Sequence, residues 1–304
     1  MDNLKIILAA GFITIGLAGA AQAEKLKVVA TTTDLAWITE EVGGDKVEVQ
    51  AIAKGFQDPH FVEPKPSFLF VLRNADLLVV VGMDLEVGWL SPLLEQSRNP
   101  RIQPGGPGYF DVSAGVEILD RPSGEVNRSM GDVHAMGNPH YWLDPANAIR
   151  IGAQARIKLS AIQPENAEYF TKRYESYKGR INEAHKRWKQ ALAPYKGAKI
   201  VTYHRSWTNF VMRYGLDVVD FVEPKPGVPP SPSHLFALIG KMKAEGIKVI
   251  AVEPYFDLKT PESLAEKTGA KVVVLYPSVD GKPGLDSYFD VFDYNVKVLV
   301  DALR

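Results

Sequence analysis

The sequence predicts an α/β protein made of two parallel-sheet domains joined by one long helix. Three patterns carry that expectation. Short β-rich or wholly apolar runs alternate with segments of helical periodicity, the signature of βαβ units and a parallel sheet. That rhythm occurs twice, before residue 160 and again after residue 195. Between the two stretches, residues 165–193 contain no proline and only one glycine, Gly179. There Tyr169, Phe170, Tyr174, Tyr177, Ile181, Ala184 and Trp188 recur at three- and four-residue steps. This periodicity predicts one amphipathic helix of roughly 30 residues, about 45 Å long at 1.5 Å per residue. Its length among short α/β units makes it a candidate interdomain strut.

Residues 1–23 read as a secretory signal. Lys5 precedes an apolar run over 6–17, and Ala21-Gln22-Ala23 supplies the small-x-small cleavage pattern before Glu24. Gly11 and Gly16 interrupt the run, which is shorter than the ~20 residues a membrane span requires. With no cysteine to carry a diacyl anchor, a free periplasmic protein is expected.

The first domain is expected over 24–160. Leu26–Ala30 is its first strand, followed by a polar turn whose Asp34 is positioned to N-cap a helix over 35–42. A strand follows at 47–52. Pro66 opens a helix with Phe68, Leu69, Val71 and Leu72 on its apolar face. Residues 75–81 form a continuous apolar strand, as when both faces of a sheet are covered. Residues 103–138 are rich in Gly, Pro and Ser and read as a long excursion with one short strand at 116–119. Asp144-Pro145 starts a helix running through 157.

The linking helix is expected over 161–194, opened by Pro164, whose missing N–H costs nothing in a first turn. The second domain, 195–304, repeats the rhythm. Strands are expected at 199–202, 216–221, 247–252 and 271–275. Helices are expected at 207–214, at 234–245 capped by Ser233, at 261–268 and at 287–303. Gly215, Gly246 and Gly269 stand where helix-ending glycines belong.

Composition excludes several functions. The chain has 35 Lys+Arg against 36 Asp+Glu, so no basic surface for nucleic acid is implied. The absence of cysteine rules out disulfides, thiolate zinc sites and a cysteine nucleophile. A metal site here has only His, Asp, Glu, backbone or water to draw on.

Three of the six histidines share an unusual setting. His60 lies in Asp58-Pro59-His60, His140 in Asn138-Pro139-His140, and His204 in Thr202-Tyr203-His204. Each follows an expected strand or loop and precedes an expected helix. Ligands of open α/β sheets bind at the carboxyl ends of strands. The three can therefore converge on one crevice between the two domains. Proline before two of them stiffens the backbone that aims the ring.

These motifs resemble the cluster A-I substrate-binding proteins of ABC transporters, the zinc- and manganese-import family. The resemblance covers most of the chain after residue 24. It rests on 28–45, 58–67, 137–145, 203–216, Glu223-Pro224-Lys225-Pro226-Gly227 and Val252-Glu253-Pro254; Asn138-Pro139-His140-x-Trp142-Leu143-Asp144-Pro145 is its most specific part. It implies two α/β domains joined by a rigid helix, with the metal in the cleft between them. Carried over, His60, His140 and His204 match the metal ligands. Histidine rather than a carboxylate at the third position points to Zn²⁺ over Mn²⁺, in keeping with the preference of imidazole for zinc. The Irving–Williams order leaves copper and nickel open. The implied role is capture of the metal, by a monomer, for delivery to an inner-membrane ABC permease.

Two departures stand out. Tyr276 occupies the position where the family places an aspartate ligand, which leaves the fourth ligand to water, Asp280 or another carboxylate. The His-rich loop of many zinc members is reduced to Asp132 and His134, and His134 reads as a solvated loop residue. Glu63, Asp144 and Arg205 are expected to orient the ligand rings, Arg205 by holding a carboxylate such as Glu253. His185 and His234 read as surface residues. Two competing readings are a zinc hydrolase and a metal-binding adhesin of the same fold. Neither a His-Glu-x-x-His pair nor a serine nucleophile elbow supports the enzyme.

Overall fold

The computed structural model describes residues 24–124, 131 and 133–304. The expected signal segment and Asp132 lie outside them. The first domain contains β1 (Leu26–Ala30), α1 (Thr33–Gly43), β2 (Val47–Ala51), α2 (Pro66–Arg73), β3 (Leu77–Val80), α3 (Leu90–Ser97), β4 (Tyr109–Asp111) and α4 (Pro145–Ile162). The long helix is α5 (Ala167–Leu192). The second domain contains β5 (Lys199–Thr202), α6 (Thr208–Tyr214), β6 (Asp217–Phe221), α7 (Pro232–Glu245), β7 (Val249–Val252), α8 (Lys259–Thr268), β8 (Lys271–Val274) and α9 (Tyr288–Leu303).

The two sheets repeat one topology. Their orders are β2-β1-β3-β4 and β6-β5-β7-β8, and every pairing is parallel. The inner strands β3 and β7 are buried along their whole length, which is why they read as unbroken apolar runs. In each sheet the strand order reverses beside the first strand, and the crevice at such a switch point is where ligands bind. His204 lies two residues beyond β5, at the switch point of the second sheet.

The long helix is not a bare strut. Phe170, Tyr174, Tyr177, Ile181, Ala184, Trp188 and Leu192 of α5 are buried in one apolar core that runs through both domains and includes Leu35 and Ile38 of α1 and Tyr288, Phe292 and Val296 of α9. Trp188 packs on Phe292 with ring centroids 4.7 Å apart. Trp37 of α1 lies 6.0 Å from Tyr288. Each large apolar side chain removed from water contributes about 1.5–3 kcal/mol, so this shared core ties the domains together. Two smaller cores lie on the far faces of the sheets, one under α2 and α3, the other under α7 and α8.

Several boundaries differ from expectation for local physical reasons. Thr32, not Asp34, caps α1 by accepting from the Leu35 N–H; Asp34 is used elsewhere. Ser231, not Ser233, caps α7, with Pro232 at its first position. The short strand after residue 103 is β4, and 116–119 is not a strand. Helix α4 extends to Ile162, so a 3-10 turn, Pro164–Asn166, separates it from α5. Helix α3 was not anticipated, although Leu90, Leu93, Leu94 and Ser97 face inward with helical spacing.

Candidate metal centre

The Asp58-Pro59-His60 segment folds as a tight turn. Asp58 Oδ1 accepts from the His60 backbone N–H at 3.0 Å and from its ring Nδ1 at 2.7 Å. Trp89 Nε1 donates to the Pro59 carbonyl at 3.0 Å and pins the turn. Asn138-Pro139-His140 repeats the device. Asn138 Oδ1 accepts from the His140 N–H and from Nδ1, each at 2.9 Å. The amide of Asn138 is itself fixed, donating to Asp120 Oδ2 at 3.0 Å and to the Arg205 carbonyl at 2.7 Å. That second bond joins the two domains beside the site.

His204 is held differently. Its Nδ1 bonds Glu223 Oε1, while Glu223 Oε2 accepts from the Gly227 N–H at 3.2 Å. The Glu-Pro-Lys-Pro-Gly run thus wraps a buried carboxylate behind the imidazole. In all three rings an acceptor takes Nδ1–H, which selects the tautomer whose Nε2 lone pair is free for a cation.

The three rings converge. His60, His140 and His204 each offer a ligand atom within 4.8 Å of the others, and all three are buried. Ring centroids lie 5.1 Å apart for His60–His140, 5.3 Å for His60–His204 and 5.4 Å for His140–His204. His140 Nε2 is buried and makes no hydrogen bond. Burial, then the neighbouring His60 and His204, pushes the His140 pKa well below the ordinary histidine value, so the ring is neutral and its lone pair open. Burial opposes ionisation of Asp58, yet its hydrogen bond and charge interaction with His60 hold the carboxyl below the usual range. A cleft of about 640 Å³ opens onto His140 and His204, lined also by Asp120, Arg205 and Pro226.

Other expected participants stand elsewhere. Glu63 is exposed, and Asp58 rather than Glu63 orients His60. Asp144 caps α4 and pairs with Arg213 at 2.7 and 2.5 Å, so Asn138 takes the role expected of it. Arg205 is exposed and lies over the Phe221 ring at 4.2 Å. Glu253 is fully buried, accepts from Trp207 Nε1 at 3.1 Å and has its pKa raised to about 8 by desolvation. Tyr276 bonds Asn295 through both backbone groups, and its ring packs on Tyr294. Among the described residues no carboxylate joins the three-histidine group, Asp280 included. His185 is half-buried against Tyr214, and His234 bonds the Phe221 carbonyl.

His134 overturns its reading as a solvated residue. Its Nε2 stands 3.2 Å from His60 Nε2, the two rings are stacked at 5.3 Å, and desolvation followed by the nearby His60 and His204 pushes its pKa down to about 3. The motif-level signal, a lone histidine six residues before His140, was too weak to place it.

Residues 28–302 match the family described as ZnuA, zinc-uptake complex component A, periplasmic. The chain belongs to that family. The manganese ABC transporter substrate-binding lipoprotein PsaA of Streptococcus mitis is 28% identical over 297 residues, covering 95% of this chain and 92% of that protein. The iron ABC transporter substrate-binding lipoprotein MtsA of Streptococcus pyogenes serotype M1 is 28% identical over 293 residues, covering 93% and 90%. A crystal structure of ZnuA superposes with a TM-score of 0.76 at 24% identity over 92% of this chain and 100% of that one, a likeness of fold. As a ZnuA-family member, the chain is a substrate-binding component of a divalent-metal uptake system rather than an enzyme.

Proposed function

We propose that this protein captures one Zn²⁺ ion in the periplasm with His60, His140 and His204 and delivers it, as a monomer, to an inner-membrane ABC permease. The observation that carries this reading is the set of three buried imidazoles whose ligand atoms lie within 4.8 Å of one another, each ring oriented by an acceptor at Nδ1. Neutral nitrogen donors favour zinc, whereas manganese favours carboxylates and water. Relatives bearing manganese and iron names share the fold, so selectivity rests on the donor atoms and not on ancestry. The orienting acceptors fix each ring's tautomer and direction, which supports ligation through Nε2.

Competition calorimetry on the metal-free protein tests the assignment. Zn²⁺ is expected to bind with one-to-one stoichiometry and at least about 100-fold more tightly than Mn²⁺, in line with donor preference. Tighter Mn²⁺ than Zn²⁺ binding would falsify the zinc assignment while leaving metal binding intact.

A further inference from the structure

We propose that the cleft beside the histidines binds a small di- or tricarboxylate anion together with the metal, one carboxylate completing the zinc coordination and another held by Arg121 and Arg205. The proposal rests on the three-histidine reading and deepens it by naming what fills the fourth position.

The cleft is too large for an ion alone. It encloses about 640 Å³, whereas a metal-bound water occupies only about 30 Å³. Small-molecule sites usually span about 300–1,000 Å³. His140 and His204 line the cleft, and the buried His140 Nε2 has no hydrogen-bond partner. No carboxylate among the described residues joins the three imidazoles. A tetrahedral zinc on those rings therefore keeps one position for an oxygen from outside the chain.

The charge along the cleft has the wrong sign for a bare dication. Clefts lined by one sign of charge concentrate the opposite one. Arg121, Arg205 and Lys225 line this cleft against one described carboxylate, Asp120. Asp120 is already engaged, its Oδ2 accepting from Asn138 Nδ2 at 3.0 Å and from Thr208 Oγ1 at 2.7 Å. Asp58 and Glu223 are bound to the Nδ1 atoms of His60 and His204. Such a lining opposes free Zn²⁺ and attracts an anion. Zinc chelated by a tricarboxylate is an anion, since two positive charges meet three negative ones.

The guanidinium groups are placed to hold a carboxylate. Arg205 follows His204 in the chain, and its carbonyl accepts from Asn138 Nδ2 at 2.7 Å. Its guanidinium lies over the Phe221 ring at 4.2 Å. Stacking fixes the plane and leaves the in-plane N–H groups open to the two parallel bonds a carboxylate accepts from arginine. The stem of Arg121 packs beside Gly137, where an added Cβ would stand 3.2 Å from Arg121 Cγ. That contact sets Arg121 next to the Asn138-Pro139-His140 turn.

Equilibrium dialysis against radiolabelled citrate, and separately malate, tests the proposal, with zinc in each sample measured by elemental analysis. Zinc-loaded protein is expected to retain about one anion per bound zinc, and metal-free protein at least about tenfold less. Arg121→Gln and Arg205→Gln should each lower retention per bound zinc about tenfold, because each removes a charge-assisted pair. Retention of neither anion by protein that still holds one zinc overturns the proposal and leaves the three-histidine site standing. Equal retention by metal-free protein, or by either arginine variant, does the same. Failure of the parent protein to hold zinc overturns both.

Discussion

Asp58 and Asn138 do the same work one proline ahead of His60 and His140. Each side chain folds over the intervening proline and accepts from the N–H and Nδ1 two residues on. Proline fixes the backbone angle, and an Asx side chain closes the turn. The repeated Asx-Pro-His spacing carries this signal, and Asp58 and Asn138 rather than Glu63 and Asp144 hold the rings. Loss of an orienting partner typically lowers metal affinity 10–100-fold, so Asp58→Ala and Glu223→Ala should each weaken zinc binding by about that factor. Tyr276→Phe should leave it unchanged, because that ring packs on Tyr294 rather than on the imidazoles. Chelator-competition titrations of the three variants check both statements. Equal affinity for parent and Glu223→Ala would show that the buried carboxylate does not orient His204.

The aromatic periodicity of α5 was legible because helical spacing is a local property. Its neighbours were not. Helix α5 is clamped by α1, α4 and α9 along a buried aromatic face, and the core it enters belongs to both domains. Bending it would expose Tyr177, Ile181 and Trp188. Hinge proteins close widely where a few loop residues absorb the motion, whereas a packed helix leaves no such place. The metal-free and zinc-loaded proteins should therefore give nearly superimposable X-ray scattering profiles. A clear drop in radius of gyration on adding zinc would mean that the domains rotate about another segment.

Across the whole molecule, the 277–279 loop of the second domain is bound to the first. Thr33 Oγ1 donates to the Val279 carbonyl at 2.7 Å, Asp34 Oδ1 accepts from Val279 N–H at 3.1 Å, and Trp142 Nε1 donates to the Pro277 carbonyl at 2.9 Å. Tyr288 O–H donates to the Trp142 carbonyl at 2.6 Å. Asp34 is buried, its Oδ2 has no partner, and desolvation raises its pKa to about 7. An unfolded aspartate titrates near 3.9. Between about pH 4 and 7 the native state thus holds a proton that the unfolded state has lost, and Asp34 makes stability fall as pH rises through that window. Asp34→Asn keeps an acceptor for Val279 and removes the titration. Urea midpoints measured from pH 4 to 8 should decline less steeply for this variant than for the parent. Parallel curves would assign the slope to Glu86 and Glu253, which burial also raises, to about 7 and about 8.

Chain order alone determined the alternation of strands and helices, the repetition of the α/β rhythm, the long helix and the three strand-end or loop histidines, two of them in proline-stiffened turns. These follow from periodicities and dipeptides whose physics acts over a few residues. The tertiary structure decided what depends on distant segments. Asp34 reads locally as a helix cap, but its carboxylate meets a backbone N–H 245 residues away. His134 reads as a loop residue, but folding sets it against a ring 74 residues earlier. Tyr276 holds an expected ligand position in the chain, yet Asn295 bonds its backbone and turns it to the α9 side. Asx-Pro-His turns give His60 and His140 their acceptors locally, whereas the meeting of His204 with Glu223, 19 residues on, and of the three rings with one another depends on the packing of two sheets against a shared core.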